Sequence, residues 1–158
     1  MSRRGNDKQI IVQPDPVYKN KLVAKLINRS MRDGKKTVAE KEIYGAFEII
    51  KAKMGDPIKV FNEAMENVKP NMEVRPRRIG GAAYQVPVSV RGPRRESLAI
   101  RWIIAAARAR ANSEYHTFAE KMAQELIDAA NGEGFAVKKK TEMEKIAEAN
   151  RAFSHFKW

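Results

Sequence analysis

Residues 73–95, with the sequence EVRPRRIGGAAYQVPVSVRGPRR, constrain the fold of this chain more than any other segment. The segment contains six arginines and one carboxylate, and a diglycine separates two runs of alternating residue types. Such alternation around a diglycine predicts a twisted two-stranded β-hairpin at about residues 72–91. Because Pro76 and Pro87 each remove a backbone donor, neither strand can lie in the middle of a larger sheet.

A hairpin of two strands is marginally stable by itself in water, so we expect it to pack against a helical body and protrude from it. Its arginines are expected to face outward. Arginine presents a planar fork that pairs with phosphate through two hydrogen bonds and stacks on bases, which lysine does less well. A protruding, arginine-rich hairpin is therefore typical of proteins that bind nucleic acids.

The net charge of the chain supports nucleic-acid binding. The 158 residues include 31 lysines and arginines against 19 aspartates and glutamates, a net charge of +12. Such a positive field attracts phosphate backbones and makes binding sensitive to salt. No apolar run approaches the roughly 20 residues that a membrane span needs, and the first residues lack the apolar stretch of a secretory signal. We therefore expect a cytoplasmic protein with no membrane partner.

Helical periodicity and capping residues predict three helices before the hairpin and three after it. Asp15-Pro16 and Asp56-Pro57 each combine an N-cap with a proline at the first helical position. The first and third helices are therefore expected to begin at these prolines. The second and sixth helices are expected to begin with capping boxes. The residue pairs of these boxes are Thr37 with Glu40 and Thr141 with Glu144.

These elements predict a mainly α fold, a six-helix bundle with a protruding two-stranded β-hairpin between helices three and four. With 43% apolar residues, the chain is able to form one domain with a buried core. We expect a single helical domain over residues 14–158. Residues 1–13 have few apolar anchors and are expected to form a mobile basic arm that binds nucleic acid through Arg3, Arg4 and Lys8.

Residues that carry catalysis or bind metals are scarce. The chain has two histidines, His116 and His155, and no cysteine. Glu120 lies one helical turn after His116, but two candidate ligands without a third do not form a metal site. The diglycine lacks the strand-to-helix setting of a nucleotide-binding loop. We therefore expect no catalytic residues, no metal site, no cofactor and no small-molecule substrate.

Basic side chains form four clusters: the arm, one face of the first helix, the hairpin with its base, and one edge of the fourth helix. A single basic helix face is often only a solvated surface, but four clusters in one chain favour nucleic-acid binding. The positions outside the arm in these clusters are Lys21, Lys25, Arg29, Arg32, Arg75, Arg77, Arg78, Arg91, Arg94, Arg95, Arg101 and Arg108.

Two aromatic side chains, Tyr84 and Trp102, lie close to the basic clusters in the sequence. Tyr84, beside the diglycine, is able to stack on a base or to pack against Val74 and Val86. Trp102 lies on the apolar side of the fourth helix, a position that is typical of a core residue.

Four segments carry a family resemblance: DPVYKNKLVAKLINRSMRDGKK, EVRPRRIGGAAYQVPVSV, RRESLAIRW and AEANRAFSHFKW. In this order they resemble small-subunit ribosomal protein seven of the bacterial type, and the similarity spans nearly the whole chain. The resemblance implies a helical bundle with a protruding hairpin that binds the lower part of the three-prime domain of small-subunit rRNA as a primary binder. It also implies early nucleation of the subunit head, neighbouring small-subunit proteins as partners, and a hairpin near the exit-site tRNA and the mRNA path.

The resemblance implies roles for particular positions. The RNA-binding positions that it implies are Arg3, Arg4, Lys35, Lys36, Arg75, Arg77, Arg78, Arg94, Arg95, Arg101 and Trp102. The positions that it places near the functional tip of the hairpin are Gly80, Gly81, Tyr84 and Gln85. Trp102 is thereby expected to lie in the core and also to abut RNA. The sequence departs from the family at residues 141–144, which leaves the contacts of the tail open.

Two classes of function follow from these observations. The first is a structural, RNA-binding component of the small ribosomal subunit, and the alternative is a basic DNA-binding or nucleoid-type protein that inserts its hairpin into a groove. A competition assay separates them, because a ribosomal protein should prefer folded, looped RNA to duplex DNA at moderate salt.

Overall fold

The computed structural model describes residues 12–156 of the chain. Arg3, Arg4 and Lys8 of the predicted arm lie outside the described residues. A mainly helical fold with one hairpin between the third and fourth helices is confirmed. The elements in chain order are α1 (Lys21–Ser30), α2 (Lys36–Met54), α3 (Pro57–Val68), β1 (Met72–Ile79), β2 (Ala82–Ser89), α4 (Gly92–Ala109), α5 (Phe118–Ala130), α6 (Gly134–Ala149) and a C-terminal 3-10 helix (Arg151–Phe156).

Helix α5 lies at the centre of the helical body. It packs against α2, α3, α4 and α6, while α1 packs against α2 and α4. Phe47, Phe61 and Leu126 are fully buried between these helices. The ring of Phe47 lies 5.0 Å from that of Tyr18 and 5.8 Å from that of Phe61. The apolar faces that the periodicity predicts therefore meet in one core, which supports the hairpin. No helix in the described part of the chain is long and apolar enough to span a membrane.

Helix α1 begins at Lys21 rather than at the proline after Asp15, so this prediction is wrong. The Asp15 carboxylate does accept hydrogen bonds from the backbone of Val17 and Tyr18, at 3.1 and 2.9 Å, but these bonds close a turn. Lys19 then adopts a φ of 50°, in the left-handed region. A helix cannot continue through that conformation, so α1 begins only after it.

The predicted start of α3 is confirmed, and that of α2 is not. The Asp56 carboxylate accepts hydrogen bonds from the backbone of Ile58 and Lys59, at 3.0 and 3.3 Å, and Pro57 is the first helical residue. At the start of α2 the N-cap is Lys35, and no side chain caps it.

The capping box predicted for α6 is also wrong, because the helix already begins at Gly134. Thr141 lies inside the helix, where its hydroxyl donates to the carbonyl oxygen of Val137 at 3.1 Å. A capping box that the sequence analysis missed occurs at α5, between Thr117 and Glu120.

Strands β1 and β2 form the antiparallel hairpin, with Arg77 opposite Tyr84. Its turn is formed by Gly80 and Gly81, with φ values of 55° and 91°. Positive φ at both central residues gives a tight turn whose twist matches that of the strands, and glycine adopts it without steric cost. Val86 is fully buried, and the hairpin contacts α6 and the C-terminal 3-10 helix. The hairpin thus packs against α6 and the 3-10 helix, while residues 80–83 at its turn are exposed.

Candidate nucleic-acid interface

Glu73 is a buried carboxylate that joins the hairpin to helix α4. Arg94 Nε donates to both of its oxygens at 2.8 Å, and Arg75 Nε donates to one of them at 2.7 Å. Burial alone raises the pKa of Glu73, but the hydrogen bonds and charges of the two arginines outweigh burial and hold its pKa below the ordinary value. The side chains of Arg75 and Arg94 are 48% and 50% exposed, so both bond to Glu73 and still reach solvent.

Arg95 provides a second connection at the base of the hairpin. Its Nε donates to the carbonyl oxygen of Pro70 at 3.0 Å, and its Nη2 donates to the side-chain oxygen of Asn71 at 2.9 Å. The backbone of Asn71 in turn accepts a hydrogen bond from Val90 at 3.0 Å. The first turn of α4 therefore fixes both ends of the hairpin relative to the body.

The basic face of α1 lies beside helix α4. Lys25 Nζ forms an ion pair with Glu96 at 2.6 Å, and Arg108 Nη2 donates to the carbonyl oxygen of Ser30 at 2.9 Å. Arg94, Arg101 and Arg108 of α4 follow one another at intervals of seven residues, so this edge spans about 21 Å. The first helix, the edge of α4 and the hairpin base thus form one extended basic surface, which we call the basic surface.

The basic surface contains exposed cations that form no ion pair within residues 12–156. Lys36 is an exception, since it forms an ion pair with Glu40 at 3.6 Å. The pair lies at the surface, where such contacts contribute little to stability. Arg77 is exposed on β1. The predicted positions that have no ion pair in this part of the chain are Lys21, Arg29, Arg32, Lys35, Arg78, Arg91 and Arg101. Their charges are available to an external anion.

The tip of the hairpin contacts the C-terminal 3-10 helix, which the sequence analysis did not predict. The ring of Tyr84 is half-buried and lies 5.3 Å from Phe153 and 5.7 Å from Phe156. Gly80, Gly81 and Gln85 are exposed. The sequence offered two alternatives for Tyr84, base stacking and packing within the hairpin, and the structure adds the tail as a partner.

Trp102 lies in the hydrophobic core and is 9% exposed, which confirms its interpretation as a core residue. Its expected contact with RNA stays a prediction.

A buried ionic cluster that no sequence pattern predicted lies at the far end of α4. Arg110 pairs with Glu125 at 2.6 Å and with Asp128 at 2.5 Å, and Glu125 is fully buried. The second oxygen of Glu125 accepts a hydrogen bond from the backbone of Ala136, at the start of α6. The cluster connects α4, α5 and α6, and Arg110 lies 15 and 18 residues before its two partners, too far for a local pattern to reveal the pairing.

A helical body with an arginine-rich hairpin and an extended basic surface defines a structural, RNA-binding class of protein. Within residues 12–156, no group of three histidine or carboxylate side chains is placed to hold a metal ion.

The sequence matches the family described as Ribosomal protein S7p/S5e over residues 2–151, so the chain belongs to that family of structural, non-enzymatic ribosomal proteins. It is similar to the small ribosomal subunit protein uS7 of Thermotoga neapolitana, with 58% identity over 99% of this chain and 98% of that protein. The proteins of the same name from Carboxydothermus hydrogenoformans and Thermotoga maritima are 58% and 57% identical, over 100% of both chains in each comparison. The predicted family is confirmed.

Proposed function

We propose that this protein is a primary binder of the three-prime domain of small-subunit rRNA and that it nucleates assembly of the subunit head in the cytoplasm. The observation that carries the proposal is the basic surface, on which the exposed cations Lys21, Arg29, Arg32, Arg78, Arg91 and Arg101 form no ion pair within residues 12–156. Cations without partners release counterions when they meet phosphates, and this release drives binding to RNA. The three-prime domain is assigned on the family resemblance.

Within this proposal, residues 14–158 act as one folded RNA-binding unit and residues 1–13 act as a basic arm that adds RNA contacts. The arm carries Arg3, Arg4 and Lys8, while the folded unit presents the basic surface. Neighbouring small-subunit proteins are expected partners on other faces.

The base and the tip of the hairpin have different functions in this proposal. The base is rich in arginine, whereas the segment 79–90 contains no charged residue and therefore adds little to electrostatic binding. The exposed Gly80 and Gly81 allow another backbone to approach closely, and Gln85 and Tyr84 offer polar and stacking groups. The base holds the protein on rRNA, and the tip contacts the exit-site tRNA and the mRNA.

A competition experiment tests the proposal. The protein is bound to a labelled RNA that contains the three-prime domain, and unlabelled duplex DNA of equal length is added at moderate salt. We expect the RNA to stay bound, because a ribosomal protein recognises folded, looped RNA. Displacement by duplex DNA at equal concentration supports the nucleoid-type alternative and contradicts the proposal.

A further inference from the structure

The junction between α5 and α6 contains the sequence Asn131-Gly132, the only place in the chain where glycine follows asparagine. Both residues are exposed, and a β-carbon added at Gly132 would meet no atom within 4 Å. Because glycine has no β-carbon, its amide nitrogen is able to approach the side-chain carbonyl carbon of the preceding asparagine without steric hindrance. The junction therefore presents one asparagine side chain that the backbone is able to attack.

The structure holds this amide nitrogen in a hydrogen bond. The amide of Gly132 donates to the carbonyl oxygen of Ala129 at 3.1 Å, and the amide of Glu133 donates to that of Asp128 at 2.8 Å. Gly132 has a φ of 82°, in the left-handed region. These two bonds and this conformation form a Schellman motif, which ends α5. The nitrogen that would attack is thus part of the helix cap.

The backbone of Asn131 also turns the nitrogen away from its target. Asn131 has a φ of −76° and a ψ of 0°, so the amide nitrogen of Gly132 eclipses the backbone nitrogen of Asn131 instead of facing its side chain. Attack needs a rotation of ψ, and this rotation breaks the hydrogen bond to Ala129. The reaction therefore proceeds only from an open form of the cap, and its rate depends on how often the cap opens.

We propose that Asn131 is a deamidation site whose reactivity the Schellman motif controls. In the open form the nitrogen of Gly132 bonds to Cγ of Asn131, the bond from Cγ to Nδ2 breaks, and ammonia leaves with the amide proton. The product is a succinimide ring. Water then opens the ring at either carbonyl carbon, which gives aspartate or isoaspartate at position 131. Water is the only co-reactant.

The isoaspartate product changes the junction, since it adds one carbon atom to the main chain and a negative charge at the end of α5 that the helix dipole disfavours. The Schellman bonds do not fit the longer chain, so the start of α6 shifts. Gly134 is sensitive to such a shift, because a β-carbon there would lie 2.9 Å from Oε1 of Glu125. That oxygen accepts a hydrogen bond from the backbone of Ala136 at 3.0 Å. Deamidation at the surface therefore affects the buried ionic cluster.

The experiment changes the cap without changing the two reacting residues. Glu133→Pro removes the amide that donates to Asp128, whereas Glu133→Ala keeps that amide and removes the same charge. Wild-type protein, both variants and a synthetic peptide of residues 126–137 are incubated together at neutral pH. Mass spectrometry of the tryptic fragment that contains Asn131 measures deamidation, and methylation by protein isoaspartate methyltransferase measures isoaspartate.

The effect on the ionic cluster is measured in the aged protein. Hydrogen exchange of the Ala136 amide is followed in wild-type protein before and after incubation. Asn131→Gln is the control, because attack on its longer side chain needs a larger ring.

We expect wild-type protein to deamidate at Asn131 roughly tenfold more slowly than the peptide, the scale of two hydrogen bonds that must open first. Glu133→Pro should react severalfold faster than Glu133→Ala. The Ala136 amide should exchange faster in aged wild-type protein and should be unchanged in aged Asn131→Gln.

Equal rates in wild-type protein and the peptide would overturn the control by the cap, and so would equal rates in Glu133→Pro and Glu133→Ala. If Glu133→Pro does not fold, the comparison of wild-type protein with the peptide still decides. Deamidation at other asparagines with Asn131 unchanged would overturn the site itself. Unchanged exchange of the Ala136 amide after deamidation would contradict the effect on the ionic cluster.

Discussion

Arg94 on helix α4 donates from its Nε to both oxygens of Glu73 on strand β1, each at 2.8 Å. This contact crosses from the helical body to the hairpin and involves a carboxylate that is only 4% exposed. Arg75, on the same strand as Glu73, shares this carboxylate, while Arg94 is the arginine that attaches the hairpin to α4. The proposed RNA-binding role of Arg94 is therefore coupled to the attachment of the hairpin.

Replacing Glu73 by glutamine should destabilise the fold by about 1–3 kcal/mol at pH 7, because charge-assisted hydrogen bonds to Arg94 and Arg75 are lost. The folded pKa of Glu73 is lowered, so its contribution to stability is fully present above the unfolded pKa and is lost as pH falls through the folded pKa. Urea unfolding of both proteins at pH 7 and pH 3 measures this. The difference in free energy should shrink at pH 3, and a constant difference would contradict the assignment.

Arg78 and Arg75 should behave differently when each is replaced by alanine. Arg78 forms no ion pair in the described part of the chain, so Arg78→Ala should reduce the salt slope of RNA binding by roughly one unit without changing the melting temperature. Arg75→Ala should reduce the slope similarly and also lower the melting temperature. Salt titrations and thermal unfolding check both effects. A lower melting temperature with unchanged RNA affinity in Arg78→Ala would refute the assigned role.

Phe153→Ala should loosen the hairpin, because it removes the contact between the tail and Tyr84. Aromatic pairs contribute about 0.5–1.5 kcal/mol, so amide exchange in β2 should become roughly two- to tenfold faster. Hydrogen exchange of the free protein measures this effect. Phe135→Ala is the matched control, since Phe135 is 56% exposed and lies outside the hairpin contact. Equal exchange rates in the two variants would show that the tail does not stabilise the hairpin.

Excising residues 80–84 and closing the hairpin with a two-residue turn should leave rRNA binding and subunit assembly nearly intact. Retention of exit-site tRNA, or reading-frame accuracy, should change instead, because the uncharged tip is proposed to contact those ligands. Phe153→Ala is the control, as it disturbs the tail contact but keeps the tip. If the shortened protein fails to bind rRNA or to enter subunits, the tip belongs to the primary binding site.

The hairpin and the start of α3 could be predicted because their signals are local: a diglycine that adopts positive φ, and a proline after Asp56. The start of α1 could not be predicted in this way, since the same Asp-Pro signal at Asp15 closes a turn and Lys19 then leaves the helical region. The contact of Tyr84 with the tail joins distant parts of the chain. Its partners, Phe153 and Phe156, come close to Tyr84 only in the folded chain.

The charge of the chain predicts basic clusters, but it does not predict which of their cations form ion pairs. Sequence alone does not distinguish Arg94, which is paired with Glu73, from Arg101, which has no ion pair in the described residues. Arg94 is paired because the folded hairpin brings Glu73 next to α4. This pairing separates arginines with a structural role from those whose charge is available to an external anion.

Footprinting on complete small-subunit RNA tests the central claim most directly. Purified protein is bound to the RNA at moderate salt, and backbone cleavage by hydroxyl radicals is mapped along the whole molecule. The account predicts protected backbone confined to the three-prime domain, with protection that weakens steeply as salt rises. Protection spread evenly over the RNA, or concentrated in another domain, would contradict it.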